Sequence, residues 1–308
     1  MMKIPHLVQY QGSKRNLANQ IIQFFPAHFN RLIEPFSGIA AISIACAFHK
    51  RTEKFLINDI NPALSNLLDL TVNKPNLVYE KYAEIWDRHT ISHNYYNEVR
   101  DEFNKSGDPM LFLYLLARCV KGAVRYNVAG EFNQSHDRRR LGTSPAKMKD
   151  NIFSISSLLK NKCEFMSVDY KRVLKFAKQG DLVYMDPPYQ GVCGNKDSRY
   201  FSGIDFEEFV QELENLNNKN ISYVISYDGK CGDKTYGEEL PTFLKLKHVF
   251  LKAGRSSQAT LLGRKDETFE SLYLSPNLSE QYLDNQSINK TFSTQPYSSK
   301  VLDEQRAL

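Results

Sequence analysis

Short apolar runs alternate along the chain with stretches in which apolar residues recur every three or four positions. The short runs are typical of buried strands, and the longer pattern is typical of amphipathic helices. Since helical patterns separate most of the short runs, we expect parallel βα units in one seven-stranded, doubly wound α/β sheet. Its strands are predicted at residues 31–35, 54–58, 164–168, 182–185, 221–226, 247–251 and 270–274.

Helices are predicted between these strands and in one long insertion. Four of them cover residues 39–49, 62–70, 171–178 and 206–216, the last with Asp205 as its N-cap. Residues 75–160 are too long for a crossover between two strands. They contain three segments with helical patterns, NLVYEKYAEIW, HNYYNEVRDEF and PMLFLYLLARCVKGAVRYN. An Arg-rich segment without periodicity, residues 133–147, predicts a mobile basic loop.

These patterns divide the chain into three parts. A discontinuous sheet domain comprises residues 1–74 and 161–276, and a helical domain is inserted at residues 75–160. Residues 277–308 are polar and weakly patterned, so we expect a loosely attached tail.

Composition excludes several classes of protein. The net charge of +5 over 308 residues is compatible with a polyanionic partner, although a solvated basic face explains it equally well. Five cysteines form no Cys-x-x-Cys pair and the histidines show no ligand spacing, so we expect neither a disulfide framework nor a metal site. Because no signal sequence is recognisable and the longest apolar run, residues 36–48, is too short to span a bilayer, we expect a cytoplasmic protein without membrane contact.

A glycine turn follows the first predicted strand in EPFSGIAAISIA. Gly38 lets a ligand approach the backbone at the carboxyl end of that strand, although an ordinary βα turn has the same pattern. Asp59 ends the next strand about twenty residues later, where a carboxylate can accept hydrogen bonds from ribose hydroxyls. Because the turn lacks the Gly-x-Gly-x-x-Gly pattern that holds a pyrophosphate, S-adenosylmethionine fits better than NAD.

The fourth predicted strand ends on Asp186 in DLVYMDPPYQG. Pro187 and Pro188 fix the backbone and leave the Pro187 carbonyl beside the carboxylate. Two acceptors can hold the two N–H groups of an exocyclic amine, which lets the nitrogen lone pair attack. Tyr189 offers a face on which a base can stack. The alternative is a strand-ending turn in which Tyr189 only packs.

Basic residues supply further candidates. In QGSKR, Gly12 makes a turn and Lys14 can meet a phosphate or a carboxylate, although adjacent basic residues are often solvated surface. Arginine and asparagine suit guanine and adenine edges, and a helix with a basic outer stripe is the alternative. Such side chains flank two aromatic residues within the insertion, at Arg118, Lys121, Arg125, Asn127 and Asn133. A phosphate clamp is predicted in the loop between the last two strands, at Arg255, Arg264 and Lys265, and a plain antiparallel hairpin with basic residues in its loop is the alternative.

Taken together and in order, YQGSKRNL, EPFSGIAA, NDIN, DPPY and ISYDG resemble the motifs of the D12-type, α-group adenine-N6 DNA methyltransferase family. The resemblance extends to about Ser275, and LFLYL followed by GAVRYNVAGEFN is similar to the family's target-recognition region. It implies a Rossmann-like methyltransferase sheet, S-adenosylmethionine as cofactor and double-stranded DNA as partner. Carried over by position, the cofactor pocket would include Tyr10, Gly12, Lys14, Phe36, Gly38, Asp59, Asp169, Tyr170 and Asp186.

The resemblance implies methyl transfer to N6 of a flipped adenine that the turn Asp186, Pro187, Pro188 and Tyr189 holds. We expect a monomer or weak dimer that acts as the modification enzyme of a restriction-modification system, with any endonuclease on a separate chain. Where family members that read GATC have an aromatic residue followed by Asn, this chain has Val120 and Lys121, so we expect another target. The alternatives are a cytosine-N4 DNA methyltransferase, an RNA methyltransferase, and a catalytically silent DNA-binding regulator.

Overall fold

The computed structural model describes residues 3–88, 94–188, 204–231, 234–235, 239–255 and 267–280. In this part of the chain eight strands form one sheet, in the order β3-β2-β1-β4-β5-β8-β7, with β6 paired to β5. The strands are β1 (Leu32–Glu34), β2 (Phe55–Asn58), β3 (Cys163–Met166), β4 (Leu182–Met185), β5 (Ser222–Cys231), β6 (Lys234–Thr235), β7 (Lys247–Arg255) and β8 (Glu267–Leu274).

The first five strands of the sheet run parallel, and β8 pairs antiparallel with both β5 and β7. From β1 the chain continues to β2 on one side, while β4 lies on the other side of β1. The order of strands therefore reverses at β1 and β4, and a crevice at their carboxyl ends is the usual ligand position in such sheets.

Nine α-helices with both ends in the described ranges accompany these strands. They are α1 (Ala18–Ile21), α2 (Ala41–Phe48), α3 (Pro62–Asn73), α4 (Pro75–Asp87), α5 (Tyr95–Ser106), α6 (Pro109–Arg118), α7 (Pro145–Leu159), α8 (Tyr170–Leu174) and α9 (Phe206–Asn218). The local sequence determines where three of these helices begin. The side chains of Asn61, Asp108 and Ser144 each accept a backbone N–H at the start of a helix, and each residue is followed by a proline in the first turn.

Both faces of the sheet are covered by apolar side chains. On one face Ile33, Val183 and Ile225 belong to a cluster with residues of α8 and α9. On the other face Leu32 and Leu182 belong to a larger cluster with α2 and α3, which also contains Phe112 of α6 and Ile152 of α7. Helix α7 packs against α2, α3 and α4. The inserted helices therefore share one hydrophobic core with the sheet.

The sheet class and all seven predicted strands are confirmed, and β6 is an additional short strand. Asp205 caps α9 as predicted, by accepting the N–H of Glu208 at 3.0 Å. The prediction of a helix through residue 127 was wrong: α6 ends at Arg118, and Lys121 and Gly122 have φ of 58° and 62°, which no helix contains. A Cβ on Gly122 would lie 2.3 Å from the Gln9 carbonyl oxygen.

Three other boundaries differ from the predictions. The helix predicted at residues 171–178 ends at Leu174. Residues 145–147 were expected in a mobile loop but form the first turn of α7, because the Ser144 hydroxyl accepts the N–H of Lys147. The expected tail is helical at residues 276–280, and Leu278 is buried in the larger core cluster. No helix of the described ranges is long and apolar enough to cross a membrane.

Replacing the buried Ile152 by alanine should lower the free energy of unfolding by about 2–4 kcal/mol, because it leaves a cavity between α7 and the helices against which it packs. Since the core is shared, chemical denaturation should show one transition. The exposed Ser154→Ala on the same helix is the control and should change stability little. Two separate transitions, with only one shifted by Ile152→Ala, would contradict a common core.

Candidate functional site

A cavity opens at the carboxyl ends of β1, β2 and β4, where the strand order reverses. The N-terminal segment, the β1–α2 turn and the ends of β2, β3 and β4 all contribute to its wall. The lining comprises residues 10–14, 34–39, 41–42, 58–61, 168–170, 184 and 186–188, with Val124, Tyr126 and Ile204.

The glycine turn is fixed to the end of β2. Gly38 has a φ of 50°, and its N–H donates to Asp59 Oδ2 at 2.9 Å. The N–H of Asn61 donates to Asp59 Oδ1 at 3.0 Å. Burial raises the pKa of Asp59 to about 6, against the effect of these two hydrogen bonds. Each carboxylate oxygen keeps a free lone pair, so Asp59 can also accept a hydrogen bond from a ligand.

Aromatic and hydroxyl groups line the same part of the cavity. The rings of Phe36 and Tyr170 have centroids 5.1 Å apart at an angle of 33°. The hydroxyls of Ser13, Ser37 and Tyr170 are buried without a hydrogen-bond partner among the described residues. Buried hydroxyls normally have partners, so a polar ligand would satisfy these three. This wall therefore fits a nucleoside better than an apolar molecule.

Asp186 directly follows β4 and forms an ion pair across the cavity wall. Lys14 Nζ donates to Asp186 Oδ1 at 2.8 Å, and Glu270 Oε1 lies 3.2 Å from the same ammonium. Burial raises the pKa of Asp186 to about 6; the Lys14 charge opposes this shift and the Glu270 charge adds to it. Burial disfavours the charged Lys14, but the two carboxylates outweigh it and raise the pKa of Lys14.

Two buried side chains of the site were not among the sequence candidates. Glu34 is 2% exposed, lines the cavity and accepts hydrogen bonds from the N–H of Ser43, at 2.9 Å, and from its hydroxyl. Burial raises the pKa of Glu34 to about 7. Asn58 donates to the carbonyls of Pro35 and Val168 at 2.8 and 3.0 Å, which joins three strand ends. For Glu34, the sequence signal was a charged residue inside the apolar run LIEPF.

All nine residues predicted to bind the cofactor line this one cavity: Tyr10, Gly12, Lys14, Phe36, Gly38, Asp59, Asp169, Tyr170 and Asp186. Pro187 and Pro188 line it as well, whereas Tyr189 lies outside the described residues. The carboxylate of Asp169 caps α8 by accepting the N–H of Lys171 at 2.9 Å. For all these predicted site residues, contact with a ligand remains a prediction. No group of three or more His, Cys, Asp or Glu in the described ranges could hold a metal.

The residues predicted to read DNA do not form one uniform set. Lys121, Arg125 and Asn133 are exposed. The Asn127 side chain instead holds a tight turn, accepting the N–H groups of Ala129 and Glu131 at 3.0 Å and donating to the Glu131 carboxylate.

Two arginines also differ from the expected picture. Arg118 Nη1 donates to the Arg140 carbonyl at 2.8 Å, so this side chain supports the basic segment from within. The prediction of a loop position for Arg255 was wrong, because Arg255 is the last residue of β7 and is paired in register with Glu267. Arg264 and Lys265 lie outside the described residues.

The predicted recognition region contacts the cavity through Tyr126. Asn61 Nδ2 donates to the Tyr126 hydroxyl at 2.6 Å, and both residues line the cavity. Tyr126 also pairs with Phe132 in an antiparallel bridge, and Val128 at the tip of the intervening turn is fully exposed. The turn therefore projects from the mouth of the site.

Comparison with known proteins adds an independent finding. The family model described as D12 class N6 adenine-specific DNA methyltransferase matches residues 10–283. The chain is 28% identical over 262 residues to the DNA adenine methylase of Haemophilus influenzae, covering 80% of this chain and 87% of that protein. It is 30% identical over 235 residues to the type II methyltransferase M1.LlaDCHI of Lactococcus lactis subsp. cremoris, covering 71% and 79%.

A longer relative also matches. The DNA N-6-adenine-methyltransferase of Escherichia phage P1 is 28% identical over 238 residues, which are 72% of this chain and 30% of that protein. The chain therefore spans less than a third of the length of this relative.

Glu34→Gln should stabilise the fold at high pH. The folded-state pKa of about 7 lies above the ordinary 4.5, so the wild type loses stability as pH rises through this window. At pH 8.5 the variant should gain roughly 1–3 kcal/mol in free energy of unfolding, and at pH 4 much less. The exposed Glu164→Gln is the control. An equal difference at both pH values would show that the Glu34 charge is not the cause.

Proposed function

The chain belongs to the D12 class of N6 adenine-specific DNA methyltransferases, and we propose that its cavity binds S-adenosylmethionine and presents the methyl group to an adenine at Asp186. The observation that carries this proposal is the shared cavity. The glycine turn, the aromatic wall and Asp186 all line it. A methyl donor and an acceptor base can therefore meet within one cavity.

The residues of the glycine-turn side fit the nucleoside part of the donor. S-adenosylmethionine, when bound, supplies a methyl group on a positively charged sulfur. Phe36 and Tyr170, whose rings contact each other, would form one aromatic wall against which its purine ring packs. The buried carboxylate of Asp59 would accept from ribose hydroxyls. The unpaired hydroxyls of Ser13 and Ser37 would gain hydrogen bonds.

The Asp186 turn would orient the adenine amine. The carboxylate accepts one N–H of N6 and the Pro187 carbonyl accepts the other, which directs the nitrogen lone pair towards the methyl carbon. As the N–C bond would form, the bond between the methyl carbon and sulfur would break and leave a neutral thioether. The nitrogen would become positively charged and release a proton, for which the Asp186 carboxylate is the base within reach. Because the target atom is inaccessible in a duplex, the adenine must first rotate out of the stack.

The segment between α6 and α7 would face the DNA. Exposed cationic groups cluster there at Lys121, Arg125 and residues 138–140, and a surface pocket brings together several of them with His136. The segment is held in place by two contacts. The Arg118 side chain donates to the Arg140 carbonyl, and the backbones of Cys119 and His136 form an antiparallel bridge. Cations fixed in this way would neutralise phosphates beside the site.

The biological role would be modification within a restriction-modification system. Relatives named type II methyltransferases accompany relatives named DNA adenine methylases. Val120 and Lys121, which precede Gly122, distinguish this chain from members that read GATC, so we propose another target sequence. The family assignment favours adenine over the cytosine-N4 alternative and over a silent regulator.

Asp186→Asn should reduce methyl transfer by about 10²–10⁴-fold, because the amide is no longer a base and presents an N–H to the amine. The assay follows labelled methyl transfer from S-adenosylmethionine to duplex DNA, with nucleoside digestion to identify N6-methyladenine. The matched control is Asp181→Asn, which removes an ion pair with Arg31 at the opposite end of β4. Near-normal transfer by the Asp186 variant would refute the assignment.

Replacing Arg138 and Arg139 together by alanine should weaken binding to duplexes of any sequence. The slope of log affinity against log salt concentration should fall by about 1–2. The control is the pair Lys160 and Lys219, both replaced by alanine. These exposed residues precede β3 and β5 and so lie at the amino ends of the parallel strands, opposite the cavity. An unchanged slope in the double-arginine variant would place the phosphates elsewhere.

A further inference from the structure

A buried ammonium lies between two carboxylates behind the Asp186 turn. Lys14 is 8% exposed, and its Nζ is 2.8 Å from Asp186 Oδ1 and 3.2 Å from Glu270 Oε1. The Gly12 carbonyl lies 3.5 Å from the same nitrogen. Three acceptors therefore surround an ammonium that has three hydrogens to donate.

Glu270 reaches this ammonium from β8, two strands away from β4. It is 15% exposed, and the neighbouring Ser271 and Leu272 are buried. Glu270 does not line the cavity, whereas Lys14 and Asp186 do. Placing a carboxylate in a largely buried strand costs free energy unless it is paired. Glu270 can therefore affect the charge of the site through Lys14 without contacting a ligand.

The ion pair conflicts with the proposed role of Asp186. In the free protein Lys14 donates to Asp186 Oδ1, but during methyl transfer the Asp186 carboxylate must accept an N–H from the adenine amine. Lys14 occupies Oδ1 and leaves Oδ2 for the amine, but its charge makes the carboxylate a weaker acceptor and a weaker base. A lysine with no other anion nearby would resist leaving Asp186, because a buried unpaired ammonium is costly. Glu270 supplies a second anion within reach of the same nitrogen.

We propose that Glu270 is a positioning residue for methyl transfer. Its carboxylate shares the Lys14 ammonium with Asp186, so that more of the Asp186 charge remains for the adenine amine. It also offsets the Lys14 charge next to the nitrogen that becomes positive as the N–C bond forms. This inference rests on the proposed function of Asp186 and adds a residue that acts through Lys14.

The charge of Glu270 also sets the pH at which Asp186 works. The titratable groups facing Asp186 are Lys14, Glu270, Tyr184 and Glu34. Among them, Glu270 raises the pKa of Asp186 and Lys14 lowers it. Removing the Glu270 charge should therefore lower this pKa. Since the ionised carboxylate is the active form, the acidic limb of the pH–rate profile should move to lower pH.

Glu270→Gln tests the proposal because it keeps the shape of the side chain and removes its charge. We expect the plateau rate of single-turnover methyl transfer to fall about tenfold or more. The acidic limb should move to lower pH. Glu270→Asp, which keeps the charge, should recover part of the rate. Asp181→Asn again serves as the control, since it removes a buried ion pair at the other end of β4 and should leave the pH profile unchanged.

A second readout does not depend on activity. The Asp186 carboxyl carbon can be followed by ¹³C NMR in protein with labelled aspartate, with its signal assigned from Asp186→Asn. In Glu270→Gln this carboxyl should titrate at lower pH than in the wild type. If the wild type methylates DNA but Glu270→Gln shows an unchanged rate, limb and titration, Glu270 has no positioning role. If the wild type itself transfers no methyl group, the proposed function fails instead.

Discussion

The ion pair between Lys14 and Asp186 is the interaction on which the site depends. It joins the N-terminal segment to the end of β4, although the two residues are 172 positions apart in sequence. Tyr10 and Gly12, which precede Lys14, line the cavity from the same segment. Without this pair, a half-buried carboxylate would have no cation to compensate it, and one wall of the cavity would lose its attachment.

The cavity concentrates carboxyl groups that are costly to ionise. Burial raises the pKa of Asp59 and Asp186 to about 6 and that of Glu34 to about 7. Each of these groups binds protons more tightly when folded than when unfolded, so each reduces stability as pH rises through its window. Such an arrangement is typical of functional sites, where charge is retained for binding or chemistry at the expense of stability.

Most of the sheet could be predicted from apolar runs, which are local signals, whereas most of the cavity lining was implied only by the resemblance to the D12 family. Asp59 and Asp186 are the residues immediately after β2 and β4, so their positions could be predicted from the strand pattern. Long-range partners could not be predicted: Glu270 meets Lys14 only through the order of strands in the sheet. The helix predicted through residue 127 failed because positive φ angles at Lys121 and Gly122 leave no trace in the apolar spacing. The internal role of Arg118 likewise depends on a tertiary contact.

We propose that one cavity holds the methyl donor against the Asp186 turn. A crystal structure of the protein soaked with S-adenosylmethionine tests it most directly. Density for the donor is expected between the Phe36–Tyr170 wall and Asp186, with its methyl group facing the carboxylate side. Density for the donor at another surface, or in a cavity closed off from Asp186, would contradict it.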